Sequence, residues 1–177
     1  NFLGNYYFFL IVFIIYLILL NEFYRLFKLK VFTRNFIINS FINFICLFFV
    51  FHEFYLLLLC MLFFGILLSY VLENYKWKII VLGYFYLSLP LLIFLHLNNN
   101  VLFGKTLILW TFVIVWSADI SAYFFGRLFA GPKLLPSISP NKTWSGFASS
   151  IFVATISSII FSIYYDFISI FKAILVG

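Results

Sequence analysis

Long apolar runs parted by short polar connections dominate the chain, at about 5–22, 36–51, 54–72, 79–97, 101–124 and 144–165, with another starting near Phe167. About 20 residues at 1.5 Å rise cross a bilayer core, and a helix satisfies its own backbone groups on the way. The period-two alternation that builds a barrel is absent. The pattern therefore predicts an all-α fold, a polytopic helical transmembrane bundle of six spans plus part of a seventh, forming one integral membrane domain over 1–177. The second run is short and interrupted by Asn39, Ser40 and Asn43, so it is expected to start earlier or to lie tilted.

Composition agrees. Hydrophobic residues make up 66% of the chain and charged residues 9%, with a mean hydropathy of +1.18. These charges are too few and too clustered to coat a water-soluble domain, so lipid is the expected surrounding. Asn1 is not an initiator Met and Val176-Gly177 lie inside an apolar run, so the chain reads as a fragment at both ends. The first run, Tyr6 to Leu20, lacks the basic leader and small-residue cleavage site of a signal peptide. Cys46 and Cys60 sit in apolar runs with no CxxC and no His cluster, so two buried thiols are expected.

The cations fall in alternate connections. Arg25, Lys28, Lys30 and Arg34 follow the first run, Lys76 and Lys78 the third, and Arg127, Lys133 and Lys142 the fifth, which is nine of the eleven Lys and Arg. Positive charge collects on the cytoplasmic side, so these three connections are expected there. The net charge of +6 then describes a basic inner surface suited to anionic headgroups or a soluble polyphosphate. Topology alone explains the first two clusters. The fifth connection differs, because Gly131-Pro132, Pro136, Pro140, Asn141 and Gly146 give a loop of some twenty residues turn chemistry.

Asp119 stands near the inner edge of the fifth run. A carboxylate at mid-bilayer costs about 2.5 to 3.5 kcal/mol, less near the interface, so it should face protein, water or a cation. On a helix, Tyr123 is rotated from it by roughly 40° and Gly126 by roughly 20°, while Arg127 lies roughly 80° away and about 12 Å farther along. One face thus carries Asp119, Tyr123 and Gly126, with space beside the glycine for a ligand or another backbone. An intramembrane ion pair or a capping role is the alternative use of Asp119.

Ser137, Ser139, Pro140, Asn141, Lys142, Thr143 and Trp144 precede the sixth run, and their order predicts a helix start capped by Ser139 or Asn141. Free N–H groups there, with Lys142 beside them, would attract a phosphate. The glycines of a P-loop are missing, and Asn141-Lys142-Thr143 matches a glycosylation sequon that is inert on a cytoplasmic face. His52 and His96 form no HExxH, and Glu22 is placed to pair with Arg25 three residues on.

Ala118-Asp119, Ala122-Tyr123, Gly126-Arg127, Phe129, Lys133-Leu134, Pro136, Ser139-Pro140, Lys142-Thr143-Trp144 and Gly146-Phe147 together resemble the bacterial phosphatidate cytidylyltransferases, or CDP-diacylglycerol synthases. Members of that family carry A-D-x-x-A-Y-x-x-G-R-x-F-G and then K-L-x-P-x-I/V-S-P-x-K-T-W-E-G-F. Glu22-Phe23-Tyr24-Arg25-Leu26 is similar to the E-[WF]-x-R-L that ends an early helix there. Ser145 replaces the usual Glu, Ala130-Gly131-Pro132 alters a Gly-rich step, and the C-terminal signature with its further acidic metal-site residues would lie beyond Gly177.

The resemblance implies transfer of a cytidylyl group from CTP to phosphatidate, giving CDP-diacylglycerol and pyrophosphate with Mg²⁺, at the cytoplasmic face of a bacterial inner membrane. It implies catalytic roles for Asp119 and Lys142, a metal role for Asp119, and substrate binding by Arg127, Lys133, Ser139, Asn141, Thr143 and Tyr123. CTP, phosphatidate and membrane lipid are the implied partners, with no nucleic acid. A homodimer is compatible, although no GxxxG run argues for it. Two other readings share some of these features. A CTP-dependent polyprenol or phytol kinase would use the same basic loop, and a transporter would use Asp119 as a coupling charge. The transporter reading also predicts polar helix interiors and an internal repeat, neither of which the sequence displays.

Overall fold

A computed structural model describes residues 2–31, 33–72, 76–100, 102–137, 139–166 and 169–177. Along them run α1 (Phe2–Leu26), α2 (Arg34–Phe51), α3 (Tyr55–Leu72), α4 (Trp77–Asn100), α5 (Gly104–Leu128), β1 (Lys133–Leu135), β2 (Ser139–Thr143), α6 (Trp144–Tyr165) and α7 (Ile170–Val176). Five of these helices are long and apolar enough to cross a membrane, and α3 is a shorter apolar helix. The protein is a multi-pass helical membrane protein. Its residues cluster into two compact units, Asn1–Gly104 and Lys105–Gly177.

In the first unit, helical periodicity selects the buried stripe. α1 turns Phe9, Val12, Tyr16, Leu20 and Phe23 inward, at intervals of three and four, against Ile42, Cys46, Leu47 and Val50 of α2 and Tyr84, Leu87, Leu91 and Leu95 of α4. The outward stripe is equally apolar, with Leu10, Ile11, Ile14 and Ile18 exposed. A helix apolar on all sides is what lipid requires. Gly83 lets α4 approach α1, since a Cβ there would run into the ring of Phe23.

The polar residues of the second run belong to this packing. Asn39 Nδ2 donates to Tyr24 Oη at 3.1 Å and Asn43 Nδ2 to Ser88 Oγ at 2.6 Å, while Ser40 Oγ donates back to Phe36 O. Helix interiors are therefore not free of polar groups, contrary to the expectation from sequence. Asn39, Asn43 and Ser88 are buried, and the first unit spends them on holding helices together. Such bonds contribute about 0.6 kcal/mol each within membranes, up to about 1.7.

Several boundaries differ from expectation, with α1 running on to Leu26 and α5 to Leu128, each beyond its apolar run. α4 continues through the anticipated Leu97–Asn100 turn, where Asn98 Nδ2 donates to Asn5 Oδ1 at 3.4 Å. α5 consequently begins at Gly104 rather than at 101, where only a glycine clears the Leu97 carbonyl; residue 101 lies outside the described residues. The seventh run gives only the short α7, and Phe167, its expected start, also lies outside them. Cys46 is buried as expected, whereas Cys60 is exposed, because α3 carries it on the outward side of the bundle.

In the second unit, Trp110 Nε1 on α5 donates to Ser158 Oγ on α6 at 3.2 Å, and Ser158 Oγ donates to Ala173 O of α7 at 2.7 Å. Nearer the hairpin, Ser149 Oγ donates to Ser121 O at 3.2 Å and Ser121 Oγ to Ser149 O at 3.4 Å. Small hydroxylated residues thus replace bulk along the α5–α6 contact, which lets the two helices come close.

Candidate active site

α5 runs unbroken through Asp119, Tyr123, Gly126 and Arg127, so the face expected from the 3.6-residue period is real. It ends where Ala130 turns left-handed at φ 39°, and Gly131-Pro132 lead into β1. β1 and β2 pair antiparallel, Lys133 opposite Thr143 and Leu135 opposite Ser139, with a bulge between. The anticipated irregular loop is thus largely a short ribbon, which folds Ser139–Thr143 back beside α5.

The cap of α6 corrects the sequence expectation. Ser139 and Asn141 are strand residues, and the N-cap is Thr143, whose hydroxyl accepts from Gly146 N at 3.2 Å. Thr143 Oγ1 also lies 3.5 Å from Gly126 O, to which it donates, and 3.1 Å from Ser145 Oγ. Trp144 N donates to Pro132 O at 3.0 Å. Two N–H groups of the first turn are thus committed inside the protein. That reduces what the helix start offers an anion and leaves more of the attraction to side-chain charge.

Two adjoining cavities occupy the angle between α5, the ribbon and the start of α6. The larger, about 620 Å³, is lined by Asp119, Tyr123, Ser139, Asn141, Lys142 and Thr143, together with Ala118, Ala122, Leu134, Gly146, Phe147 and Ser150. The second, about 550 Å³, is lined by Arg127, Lys133, Ala130 and Gly131, and shares Ala122, Tyr123, Asn141 and Thr143 with the first. All eight residues singled out from sequence line one or both. Asp119 and Lys142 share the larger cavity, Arg127 and Lys133 the second. Arg127 places its guanidinium 4.6 Å from the centre of the Tyr123 ring, a cation–π contact that holds it toward the second cavity.

Ala118, Ala122, Leu134, Phe147 and Ser150 also line the larger cavity, and the sequence alone does not mark them as site residues. Ala118 and Ala122 flank Asp119 one helical turn apart, and small residues at that spacing do signal a crowded face. Leu134, Phe147 and Ser150 reach the cavity only through the ribbon and the α6 entry, which local sequence does not specify. Glu22 pairs with Arg25 at 3.6 Å, both side chains exposed, as their spacing predicts. His96 Nδ1 and Tyr55 Oη are 3.1 Å apart. Among the described residues, no three of His, Cys, Asp and Glu gather into a metal cluster.

A membrane-embedded helical protein, with one acid and three cations grouped around paired cavities where two helices meet, is built to bring charged groups together beside lipid. The chain matches the cytidylyltransferase family over residues 1–177 and belongs to it. It is 52% identical over 64 residues to a phosphatidate cytidylyltransferase of Brucella abortus, covering 36% of this chain and 24% of that protein. A phosphatidate cytidylyltransferase of Bacillus subtilis is 38% identical over 84 residues, 48% of this chain and 31% of its own length. One from Haemophilus influenzae is 39% identical over 66 residues, 37% and 23%. The matched stretches thus span less than a third of each of these relatives. No solved structure matches the chain.

Proposed function

We propose that the paired cavities transfer a cytidylyl group from CTP to phosphatidate, forming CDP-diacylglycerol and pyrophosphate. The observation that carries this reading is the shared wall of Tyr123, Asn141 and Thr143, with Asp119 and Lys142 on one side and Arg127 and Lys133 on the other. Two phosphate-bearing reactants can lie there side by side. Ala118, Leu134 and Phe147 give the Asp119 cavity an apolar wall suited to the glycerol end of a lipid. The Arg127 cavity suits a nucleotide triphosphate.

In the step itself, an oxygen of the phosphatidate phosphate attacks the α-phosphorus of CTP. A new P–O bond forms, the bond to the β-phosphate oxygen breaks, and pyrophosphate leaves with the electron pair. Such transfers need in-line placement and neutralised charge more than covalent help. Lys142 would hold the lipid phosphate, and Arg127 and Lys133 the β- and γ-phosphates. Asn141 and Ser139 would donate hydrogen bonds to the same oxygens. Asp119 is the one carboxylate on the cavities, with neutral oxygens of Ser139 and Asn141 nearby, a donor set that fits Mg²⁺, which needs only one or two carboxylates plus substrate phosphates and water. When bound, the ion would neutralise charge building on the transferring phosphoryl group. The charge pattern of the connections supports a cytoplasmic site in a bacterial inner membrane.

The test is the full-length protein in lipid vesicles with labelled CTP, phosphatidate and Mg²⁺. Labelled CDP-lipid with stoichiometric pyrophosphate is expected, and Asp119→Asn should remove it while the helical spectrum stays. Release of CDP with a phosphorylated alcohol, or unchanged turnover in Asp119→Asn, would reject this assignment.

A further inference from the structure

The first unit holds a basic pocket at the ends of its helices. It measures about 270 Å³ and is lined by Lys28, Lys30, Thr33 and Lys76, over a floor of Tyr24, Leu29 and Ile80. Segments more than forty residues apart in the chain bring the three lysines to the lining of one cavity. Charge distribution across a membrane requires cations on this side of the bundle, but does not require them to converge on one cavity.

Several observations point the same way. Lys28 adopts φ 51° two residues past the end of α1, with Leu29 N donating to Tyr24 O at 2.7 Å and Lys28 N to Arg25 O at 3.1 Å. This is the left-handed helix stop where glycine is least strained. A lysine standing there keeps its ammonium at backbone cost. Thr33, the N-cap of α2, makes no side-chain cap, and its hydroxyl donates instead to Lys30 O at 3.2 Å. The positive end of the 18-residue α2 therefore adds to the field of the lysines. Among the described residues, no acid lines the pocket.

We infer that the Lys28–Lys30–Lys76 pocket binds the phosphate of an anionic membrane lipid. The pocket lies where the apolar stretches of α1, α2 and α4 give way to polar connections, which is the depth of headgroup phosphates. Leu29, half-buried on the wall of the pocket, distinguishes a lipid from a free phosphate, because it leaves apolar surface that the glycerol and first acyl carbons can cover. Basic pockets between membrane helices are suited to such headgroups. This binding is separate from the cytidylyl reading and can be measured without turnover.

The experiment takes the full-length protein in neutral detergent at 0.15 M salt and titrates phosphatidylglycerol, an anionic lipid that is not the substrate proposed for the Asp119 cavity, counting bound lipid by native mass spectrometry. At that salt, exposed charges beyond about 8 Å are screened. One retained anionic lipid assigned to this pocket is expected, with affinity falling at least about tenfold in the Lys28→Gln/Lys30→Gln/Lys76→Gln variant, as expected when charge-assisted phosphate contacts are lost. The control Arg34→Gln/Lys78→Gln/Lys105→Gln removes equal charge outside the pocket, leaves the Glu22–Arg25 pair intact, and should change it by less than about threefold. Lys28→Gly should also weaken binding while preserving the turn, which guards against misfolding. Equal losses in the pocket and control variants, or displacement of the lipid by inorganic phosphate at matching concentration, would overturn the inference.

Discussion

Gly126 and Gly146 bring α5 and α6 into backbone contact: a Cβ on Gly126 would lie 3.4 Å from Gly146 Cα, and one on Gly146 would lie 3.3 Å from Gly126 Cα. The cavities open beside this crossing, so the separation of the two helices sets the distance between Asp119 on one and Lys142 at the entry to the other.

The two glycines are unequal. A methyl at Gly146 would sit 2.7 Å from the Ala122 carbonyl oxygen, a backbone atom that moves only if the helices part. At Gly126 the nearest atom is Thr143 Oγ1 at 3.0 Å, a side chain with some freedom. Gly146→Ala should destabilise by about 1 to 3 kcal/mol, as overpacking does, and Gly126→Ala by less. Unfolding midpoints in detergent micelles would compare them. A harmless Gly146→Ala would mean that the helices do not depend on this crossing.

Thr143 links three parts of the site, and its hydroxyl is the hinge of that link. It caps Gly146 N and reaches Gly126 O. Thr143→Ala should cost about 1 kcal/mol from the lost cap, while Thr143→Ser keeps the oxygen and most of the stability. Denaturation of the two variants under identical conditions decides the matter; parity between Ala and Ser would show that the methyl, not the hydroxyl, matters.

The chemistry of the site was more legible than its shape. Asp119, Tyr123 and Gly126 share a face because helical rotation is fixed by covalent geometry, so α5 was readable from spacing alone. The cap was misplaced because Ser139 and Asn141 are as good at capping as Thr143. What excludes them is pairing with Lys133–Leu135 across the ribbon, a non-local contact without a strong signature in so short a segment. The same holds in the first unit. Asn39 and Asn43 looked like an interruption of a span, yet their partners Tyr24 and Ser88 lie on other helices, at sequence distances no local pattern reports. Cys60 failed differently: an apolar run says that a residue avoids water, but in a membrane protein lipid serves as well as a core.

Ala130 is held at φ 39°, where a Cβ crowds the backbone. In the pattern that the chain resembles, a glycine stands at this step. Ala130→Gly should therefore stabilise the α5 exit by up to about 1 kcal/mol, offset in part by greater freedom of the unfolded chain, and Ala130→Val should destabilise it. Thermal unfolding of the pair would check the sign, and a stabilising valine would contradict the left-handed turn.

The Asn43–Ser88 bond, 2.6 Å long, tests how far polar contacts hold the first unit together. Asn43 Oδ1 is buried without a hydrogen-bond partner, so Asn43→Ala removes an uncompensated acceptor together with the bond. A double-mutant cycle with Ser88→Ala isolates the pair and should give a coupling near 0.6 kcal/mol and below about 1.7. A coupling of zero would leave shape packing as the cause of the α2–α4 association.

Arg127 and Lys133 line the cavity that is proposed to take the nucleotide, whereas Lys142 lines its neighbour. Hydrogen bonds to charged groups contribute about 1.5 to 3 kcal/mol, so Lys133→Gln should raise the KM for CTP by roughly tenfold to a hundredfold, with a smaller change for phosphatidate. Lys142→Gln should show the opposite preference. Arg127→Lys keeps the charge but loses the planar contact with Tyr123 at 4.6 Å, so it should recover only part of the CTP affinity lost in Arg127→Gln. Steady-state kinetics with each substrate varied in turn would settle the division of labour. If Lys133→Gln and Lys142→Gln raised both KM values equally, the two cavities would have to be read as one undivided phosphate site.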